Sequence, residues 1–509
     1  MSVEGPISNS SSMPVGTAMV DGSESARRLK QYDYVEEEFF LSGTANVYGP
    51  TSFDPVEPGQ HFYLERKPLS TVHQPDVSYK TRVIVVRPRE SAAFSGTVHA
   101  VPLHVLSPIS VVDQHLLRRG HAWVGVEVND GARYGTEAMW CGGIAYLQRA
   151  DPERYATLSV SGGDPEAWGL SDGVVADAWK NMSIHGHTPQ QAVLAKEMYR
   201  SLMQGPDILL DVAKGLKLGG EQSVMPGFDV RRVYTSGASG SALIPNSLAN
   251  DGHHNRNMLP DGRPPIDGYF VFVGLQPRTT GRPDKAVLAG FLSENEVLLR
   301  VGAHTIEDPP QNTDEPRFRY YEMPSTGHVY SALREGDALM RRVPDLLPVS
   351  GTFSTKVSAT ESGFEYADKF NAPFVWALWE AMYRWVEDGI PMPATDPITR
   401  DNESPDGLAR DEHGNPLGGL RTPWVDVPEA SYVAQVSKAD MNYAGMTRFS
   451  EEKMRALYGS REEYERRVGA KLDDMVAQRL LLLEDRDLTF EENVVSSRSG
   501  AESSHGAIG

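Results

Sequence analysis

One stretch of the chain, residues 231–244, limits the possible folds more than any other. It begins with a β-favouring run, turns sharply through small residues and continues into a helix-compatible segment, with Ser239 at the apex. A nucleophile held on such a strand–turn–helix unit needs strained backbone angles, which bulky neighbours would prevent. The usual pattern is Gly-x-Ser-x-Gly, and the last position here is Ser241, which is still small. The stretch predicts a nucleophile elbow, whose small residues are Gly237, Ala238, Gly240 and Ser241.

Strand-like and helix-like segments alternate before and after this stretch. β-Branched runs predict strands, and apolar residues at helical spacing predict helices. The alternation is typical of parallel strands joined by crossover helices, so we expect an α/β fold class, a mostly parallel sheet with helices on both faces. Besides the strand before Ser239, the predicted strands are residues 79–88, 96–103, 121–128, 268–273, 286–292 and 317–323, and the predicted helices are 111–119 and 207–216.

A long segment, residues 129–205, interrupts this alternation. It carries Trp140, Trp168 and Trp179 among many glycines, and it has no long apolar strand. A connection of this length inside a compact domain is usually functional. We therefore predict a cap or lid insertion whose tryptophans limit the size of the substrate.

The C-terminal third, residues 365–495, is predicted to be an extension of helices and loops. An aromatic stripe over residues 375–386 predicts a helix that packs on the sheet, with a pocket wall as the alternative. Residues 394–420 are polar and rich in Gly, Pro and Asp, which predicts a surface loop. A long amphipathic helix is expected from Ser460, with Glu463 completing a capping box.

The two ends of the chain are polar and offer almost nothing to bury. Residues 1–28 and 496–509 are therefore expected to be disordered tails. The body between them, residues 29–495, is expected to form a single domain that includes the insertion and the C-terminal extension.

Polar residues follow three different predicted strands in an order that indicates nucleophilic catalysis. For serine to attack an ester or amide carbonyl, a histidine must take its proton and a carboxylate must hold that histidine in one tautomer. Ser239 comes first, Glu294 and Glu296 follow the strand at 286–292, and His328 follows the last predicted strand in a glycine-containing loop. The order Ser, acid, His at strand ends is that of the α/β-hydrolase arrangement. A plain Gly/Ser-rich turn is the alternative interpretation of the elbow, but it does not account for this order.

Two glutamates compete for the role of the acid. Glu294 and Glu296 lie two residues apart just past a strand, so in an extended turn both could face the same side. We predict Glu296 as the acid, because it leaves the strand later and gives the imidazole room. Glu294 is then expected to be a buried structural carboxylate that accepts hydrogen bonds from loop N–H groups. The exchange of these two roles is the alternative.

Several motifs resemble those of the large-insert bacterial "alpha/beta hydrolase domain" family of mostly uncharacterised serine esterases. The matching segments lie at residues 94–98, 237–241, 293–296, 321–328 and 418–428, so the resemblance runs from about residue 80 almost to the C-terminus. It implies an α/β-hydrolase fold and hydrolysis of a carboxylic ester, without a particular substrate. In that family the elbow resembles Gly-x-Ser-Gln-Ser, so Ser241 is expected, while Gly240 replaces a glutamine and offers only its backbone N–H.

An oxyanion formed at the carbonyl needs two N–H donors. The residue after the nucleophile, Gly240, is expected to supply one from the start of a helix. The second is expected from the loop after the strand at 96–103, around His104. His104 could itself line the pocket, and a plain loop histidine is the alternative.

Composition and charge exclude several other functions. A net charge of −20 argues against nucleic acid and anionic membranes as partners. Cys141 is the only cysteine, so no intrachain disulfide or thiolate cluster can form. A polar N-terminus and the lack of a long apolar run favour a cytoplasmic protein. The histidines that could suggest a metal site lack zinc-binding spacing and are expected in loops, so no metal or other cofactor is expected: His185, His187, His253 and His254.

The sequence therefore predicts a serine hydrolase that cleaves a small or medium-sized carboxylic ester through an acyl-enzyme. A lactonase, an amidase or an acyltransferase with the same residues is the first alternative. A catalytically silent binding protein on the same fold is the second, because a fold alone does not give a function. The oligomeric state is not indicated.

Overall fold

The computed structural model describes most of the chain. The described residues are 1–7, 24–51, 68–103, 114–130, 143–164, 202–274, 282–302, 309–328, 364–367, 369, 371–434 and 444–495. Several predicted features lie outside these residues: His104 and its loop, most of the 129–205 insertion with its three tryptophans, Cys141, His185, His187 and the tail at 496–509.

Strands and helices alternate through much of the described chain. The strands are β1 (Ser2–Glu4), β2 (Tyr34–Gly49), β3 (Thr71–Pro88), β4 (Thr97–Pro102), β5 (Ala122–Val126), β6 (Arg232–Ala238), β7 (Gly268–Phe272), β8 (Val287–Ser293), β9 (Phe318–Met323), β10 (Glu365–Tyr366), β11 (Ala430–Val433) and β12 (Gly445–Arg448). The helices are α1 (Glu24–Gln31), α2 (Gln114–Arg118), α3 (Gly143–Ala150), α4 (Pro152–Tyr155), α5 (Gly205–Leu218), α6 (Leu243–Asn250), α7 (His253–Arg256), α8 (Glu294–Gly302), α9 (Ala372–Asp388), α10 (Pro423–Asp426), α11 (Glu451–Tyr458), α12 (Arg461–Ala477) and α13 (Arg486–Phe490). None of these helices is both long and apolar enough to cross a membrane.

Strands β1 to β9 belong to one sheet, in the order β1-β2-β3-β5-β4-β6-β7-β8-β9. In its centre, β4 pairs in parallel with β5 and β6, and β6 pairs in parallel with β7. The predicted α/β class with a parallel sheet is confirmed there, and helices such as α5 lie in the long connections that parallel pairing requires.

The strand predicted at residues 79–88 was expected to pair in parallel with its neighbours, and it does not. It lies in β3, which is antiparallel to both β2 and β5. Between β3 and β4 there is only a short 3-10 turn, Ser91–Ala93. A parallel crossover needs a dozen or more residues, so this connection is too short to place β3 in the parallel alternation.

Strand β2 is the longest element that the sequence pattern does not reveal. It contains three consecutive glutamates at 36–38 and a glycine at 43, which are residues that strands disfavour. It nevertheless pairs with β3 from Tyr34 to Gly49. Glu38 is buried in this ribbon because Arg82 of β3 provides the opposite charge.

Two parts of the span predicted to be a disordered tail are ordered. Residues 2–4 form β1, which pairs with β2 and places Val3 opposite Leu41. Helix α1 begins at Glu24, and its Leu29 packs in a cluster that includes Trp123. An edge strand is held by backbone hydrogen bonds, so it forms without the apolar side chains on which the prediction depended.

The described chain divides into two compact units. Unit 1 contains the described residues up to 290 and residues 315–318, and unit 2 contains residues 291–302, 309–314, 319–328 and the described residues from 364 onwards. In unit 1 the strands β4, β5 and β7 are almost completely buried, β6 is buried except for three half-buried residues, and every residue of α6 is buried.

Unit 2 contains the two long helices that the sequence predicts. The aromatic stripe lies in α9, where Trp376, Trp379 and Trp385 are buried. Helix α12 begins after Ser460, whose hydroxyl accepts a hydrogen bond from the Glu463 N–H at 3.2 Å. A small antiparallel sheet in the order β10-β12-β11, which the sequence does not predict, also belongs to this unit.

The polar segment at 394–420, predicted as a surface loop, is partly buried. Ile398 and Leu408 are at most 1% exposed. Isolated bridges pair Ile398 with Gly418, Arg400 with Leu408 and Arg410 with Pro416. The segment is therefore folded on itself, and two of its arginines are directed at buried glutamates described below.

The buried charges of unit 1 lead to a prediction on stability. Glu38 accepts hydrogen bonds from Arg82 Nε at 2.6 Å, Arg154 Nε at 2.8 Å and the Tyr155 hydroxyl at 2.9 Å. Glu38→Gln removes the negative charge that two buried guanidinium groups share, so we expect a loss of about 3–5 kcal/mol in the free energy of unfolding, measured by urea denaturation.

The neighbouring glutamate provides the control. Glu37 pairs with Arg87 at 2.8 Å, but both side chains are partly exposed. Glu37→Gln should change the free energy of unfolding by less than about 1 kcal/mol, because water screens this pair. Equal losses in the two variants would contradict the assignment of the Glu38 cluster as a buried charge centre.

Candidate active site

The predicted elbow has the backbone that its sequence requires. Strand β6 ends at Ala238, a 3-10 turn covers Ser239–Ala242, and α6 begins at Leu243. Ser239 has a φ of +53°, in the left-handed region that side chains other than glycine rarely adopt. This conformation costs about 1–3 kcal/mol and persists only where the surroundings impose it. The turn therefore holds its serine under strain.

A glycine and a serine hold the elbow closed from inside. A Cβ on Gly237 would lie 2.5 Å from the carbonyl oxygen of Ser241, so a side chain at 237 cannot fit. The Ser241 hydroxyl accepts a hydrogen bond from the Ala238 N–H at 3.1 Å and donates one to the Ala238 carbonyl at 2.8 Å. Ser241 is thus more than a small substitute for glycine, because its hydroxyl bonds across the turn.

The end of β7 approaches the elbow closely. A Cβ on Gly274 would lie 2.9 Å from the Ser239 carbonyl oxygen and 2.7 Å from the Ala242 Cβ. Nothing in the sequence pattern marks Gly274 as special, because a glycine after a strand is an ordinary turn signal. Gly240, the expected oxyanion donor, lies in the first turn after Ser239 and is half-buried.

His328 and Glu296 are in direct contact in unit 2. His328 Nδ1 lies 2.6 Å from Glu296 Oε1, and the side chains are 17% and 7% exposed. The other oxygen, Oε2, accepts hydrogen bonds from the N–H of Ser293, at 3.0 Å, and from its hydroxyl. Burial alone would raise the pKa of Glu296, but the charge and hydrogen bond of His328 and the two bonds from Ser293 lower it below its ordinary value. Glu296 is therefore held as a carboxylate against the histidine.

Glu294 has a different set of partners. It is completely buried, its Oε1 lies 2.9 Å from Arg410 Nη2, and its Oε2 accepts a hydrogen bond from the Ser325 N–H at 2.7 Å. Burial raises the pKa of Glu294, an effect that Arg410 and the Ser325 N–H reduce. The two glutamates lie in the first turn of α8 instead of the extended turn expected from the sequence, and there they reach different partners.

A second buried glutamate–arginine pair lies nearby in unit 2. Glu322 of β9 is completely buried and forms two hydrogen bonds with Arg400, at 2.7 and 2.9 Å. It also accepts hydrogen bonds from the Ile398 N–H at 2.8 Å and the Tyr320 hydroxyl at 2.9 Å. Sequence reasoning missed Arg400 and Arg410, because arginines in a polar segment usually face water. Ser293 could have been noticed, since it belongs to the motif at 293–296.

Two histidines expected to lie in loops are buried in a short helix. His253 and His254 belong to α7. A ring nitrogen of His253 lies 2.7 Å from the Leu69 carbonyl, and His254 contacts the Tyr269 hydroxyl at 2.7 Å. Their rings thus bond to protein groups of unit 1. Among the described residues, no group of three His, Cys, Asp or Glu side chains is arranged to hold a metal ion.

The expected nucleophile and its expected partners belong to different units. Ser239 and Gly240 lie in unit 1, whereas Glu294, Glu296 and His328 lie in unit 2. Unit 1 thus contains a strained serine before a helix, and unit 2 contains a histidine bound to a buried carboxylate.

Several solved structures resemble the chain weakly. A protein assigned as a dienelactone hydrolase, from Klebsiella pneumoniae subsp. pneumoniae MGH 78578, has 10% identity and a TM-score of 0.20, covering 60% of this chain and 96% of that chain. Acetyl xylan esterase 1 from Thermoanaerobacterium sp. JW/SL YS485 has 10% identity and a TM-score of 0.23, covering 60% of this chain and 96% of that chain. The rice cell wall degrading esterase LipA from Xanthomonas oryzae has 8% identity and a TM-score of 0.19, covering 49% of this chain and 46% of that chain. Similarity at this level does not extend an activity to this chain.

The comparison with whole families gives a clearer result. No curated protein matches the chain. The sequence model of the family described as "Alpha/beta hydrolase domain", however, matches residues 3–491. This match covers almost the whole sequence and agrees with the strand–turn–helix elbow and the parallel centre of the sheet. The chain belongs to the alpha/beta hydrolase domain family.

Proposed function

We propose that the protein is a serine esterase that cleaves a small or medium-sized carboxylic ester through an acyl-enzyme. Ser239 is the nucleophile, His328 the general base and Glu296 the acid that orients it. The observation that carries this proposal is the 2.6 Å contact between His328 Nδ1 and the buried Glu296 carboxylate. The left-handed backbone of Ser239 and the family membership support it.

The reaction follows from these roles. The Ser239 hydroxyl attacks the ester carbonyl while His328 Nε2 takes its proton, and Glu296 stabilises the imidazolium that forms. The Gly240 N–H donates a hydrogen bond to the oxyanion. The tetrahedral intermediate collapses when His328 returns the proton to the leaving alcohol. Water then attacks the acyl-enzyme with the same base, which releases the acid and restores the serine.

The alternative functions differ from an esterase in the bond cleaved or the acyl acceptor, or they involve no catalysis. A lactonase, an amidase or an acyltransferase would use the same three residues, and a panel of esters, lactones and amides distinguishes them. A catalytically silent binding protein has no physical need for a strained serine or for a carboxylate kept ionised beside a histidine. The cap at 129–205, a second oxyanion donor near His104 and a cytoplasmic location remain part of the proposal.

The first test identifies the nucleophile. A fluorophosphonate probe should label the protein at one site, and Ser239→Ala should abolish the labelling, measured by intact mass and by peptide mapping. Ser236→Ala, three residues earlier and within β6, is the control and should leave labelling unchanged. Labelling that persists in Ser239→Ala would contradict the assignment.

The second test concerns the acid. Glu296→Gln keeps the shape of the side chain but no longer stabilises the imidazolium, so kcat should fall by roughly 10⁴, as found for an aspartate-to-asparagine change in a comparable triad. The measurement is kcat on an activated ester together with the melting temperature.

Glu429→Gln is the control for the loss of a buried carboxylate. The Glu429 side chain is 6% exposed, close to the 7% of Glu296, and it pairs with Lys369 at 2.8 Å. It should lower the melting temperature with little effect on kcat. If Glu296→Gln remains as active as Glu429→Gln, Glu296 is not the triad acid.

A further inference from the structure

The loop that carries His328 is held by the first turn of α8. Ser325 lies in this loop with a φ of +60°, another left-handed conformation of a residue other than glycine. Its N–H donates to Glu294 Oε2 at 2.7 Å, and the Thr326 carbonyl accepts from the Asn295 N–H at 3.3 Å. Glu294 and Asn295 directly precede Glu296 in sequence, so one turn of helix holds both the loop and the carboxylate that contacts His328.

The hold on Ser325 depends on the charge of Glu294. An ionised carboxylate is a stronger acceptor for an N–H group than a protonated one. Glu294 is completely buried, and burial disfavours its charged form. Arg410 opposes this effect from 2.9 Å, and Arg410 is itself fixed by Asp406, whose Oδ2 lies 2.8 Å from Arg410 Nε.

We infer that Arg410 is a positioning residue for His328. It binds one oxygen of the Glu294 carboxylate at 2.9 Å, and the other oxygen accepts the Ser325 N–H at 2.7 Å. Glu294 thereby fixes the strained backbone at Ser325, and this fixes the loop from which His328 reaches Glu296. Arg410 touches neither His328 nor Glu296 in this chain of contacts, so it acts through Glu294. The inference rests on the proposed function for the role of His328, whereas the hold of Arg410 on the loop can be measured separately.

The same polar segment offers a matched control. Arg400 and Arg410 are 21% and 23% exposed, and each pairs with a completely buried glutamate, Glu322 or Glu294. The difference lies in what the glutamate holds. Glu322 accepts the N–H of Ile398, within the polar segment itself, whereas Glu294 accepts the N–H of Ser325 in the histidine loop.

The experiment compares Arg410→Met with Arg400→Met in the full chain. Three quantities are measured: the melting temperature, the hydrogen exchange of peptides that cover residues 323–328, and kcat and KM on an activated ester. Both variants should lower the melting temperature. Only Arg410→Met should speed exchange at 323–328 and lower kcat by about 10- to 100-fold with KM unchanged, because a small misplacement of the base affects the transition state more than substrate binding.

Each other outcome has a definite meaning. If both variants show the same exchange at 323–328 and the same kcat, the inference is overturned. The proposed function still stands in that case, provided that the wild type is active. If the wild type is inactive and unlabelled by fluorophosphonate, the proposed function fails, and the exchange data alone decide whether Arg410 holds the loop. Should Arg410→Met fail to fold, Arg410→Lys and Arg400→Lys, which keep the positive charge but lose the guanidinium fork, give the same comparison with smaller expected effects.

Discussion

A carboxylate can be buried in its charged form only if opposite charges or N–H donors lie at close range, and both units of this chain depend on that condition. Glu38 in unit 1 meets Arg82 and Arg154. In unit 2 the equivalent glutamates are Glu294, Glu296, Glu322 and Glu429, each within 2.9 Å of a cationic or ionisable partner. Glu127, at the end of β5, shows the contrast: it accepts the Asn129 N–H at 3.1 Å, and burial raises its pKa to about 8. His328 and Lys369 thus lower the pKa of Glu296 and of Glu429, whereas burial raises the pKa of Glu294 and of Glu127.

The elbow illustrates a second constraint, because its strained backbone must be stabilised by residues small enough to fit within the turn. Gly237 and Gly274 have no Cβ atoms, which would clash with atoms of the turn. The Ser241 hydroxyl forms hydrogen bonds with the N–H and the carbonyl of Ala238. Ser239 is thereby kept in its left-handed conformation at the C-terminal end of β6. The turn is flanked by a strand paired on both sides and by a fully buried helix, which restrict its relaxation.

The features that could be predicted from the sequence are those encoded locally. The elbow, the central parallel strands, helix α9 and the start of α12 each have their signal within about twenty residues, in periodicity, glycines or a cap. Strand β2 and the folded segment at 394–420 could not be predicted, because their polar residues are buried only by partners distant in sequence, such as Arg82 for Glu38 and Glu322 for Arg400. For the same reason the sequence favours Glu296 over Glu294 as the acid but leaves the exchange of their roles open. Their surroundings in sequence are the same, and what distinguishes them is whether Arg410 or His328 is the partner.

The pairing of β4 with β6 has a consequence for the order of events during synthesis. Thr97 of β4 pairs with Arg232 of β6, so the strand that leads to the elbow gains this neighbour only when residues far apart in sequence have come together. Such long-range pairing is slow compared with forming the local β2–β3 ribbon, which can assemble as soon as residues 34–88 have left the ribosome. The serine turn is therefore expected to mature late, although its residues lie before the middle of the chain. A nascent chain arrested between β6 and residue 328 would carry the turn without His328, the proposed general base.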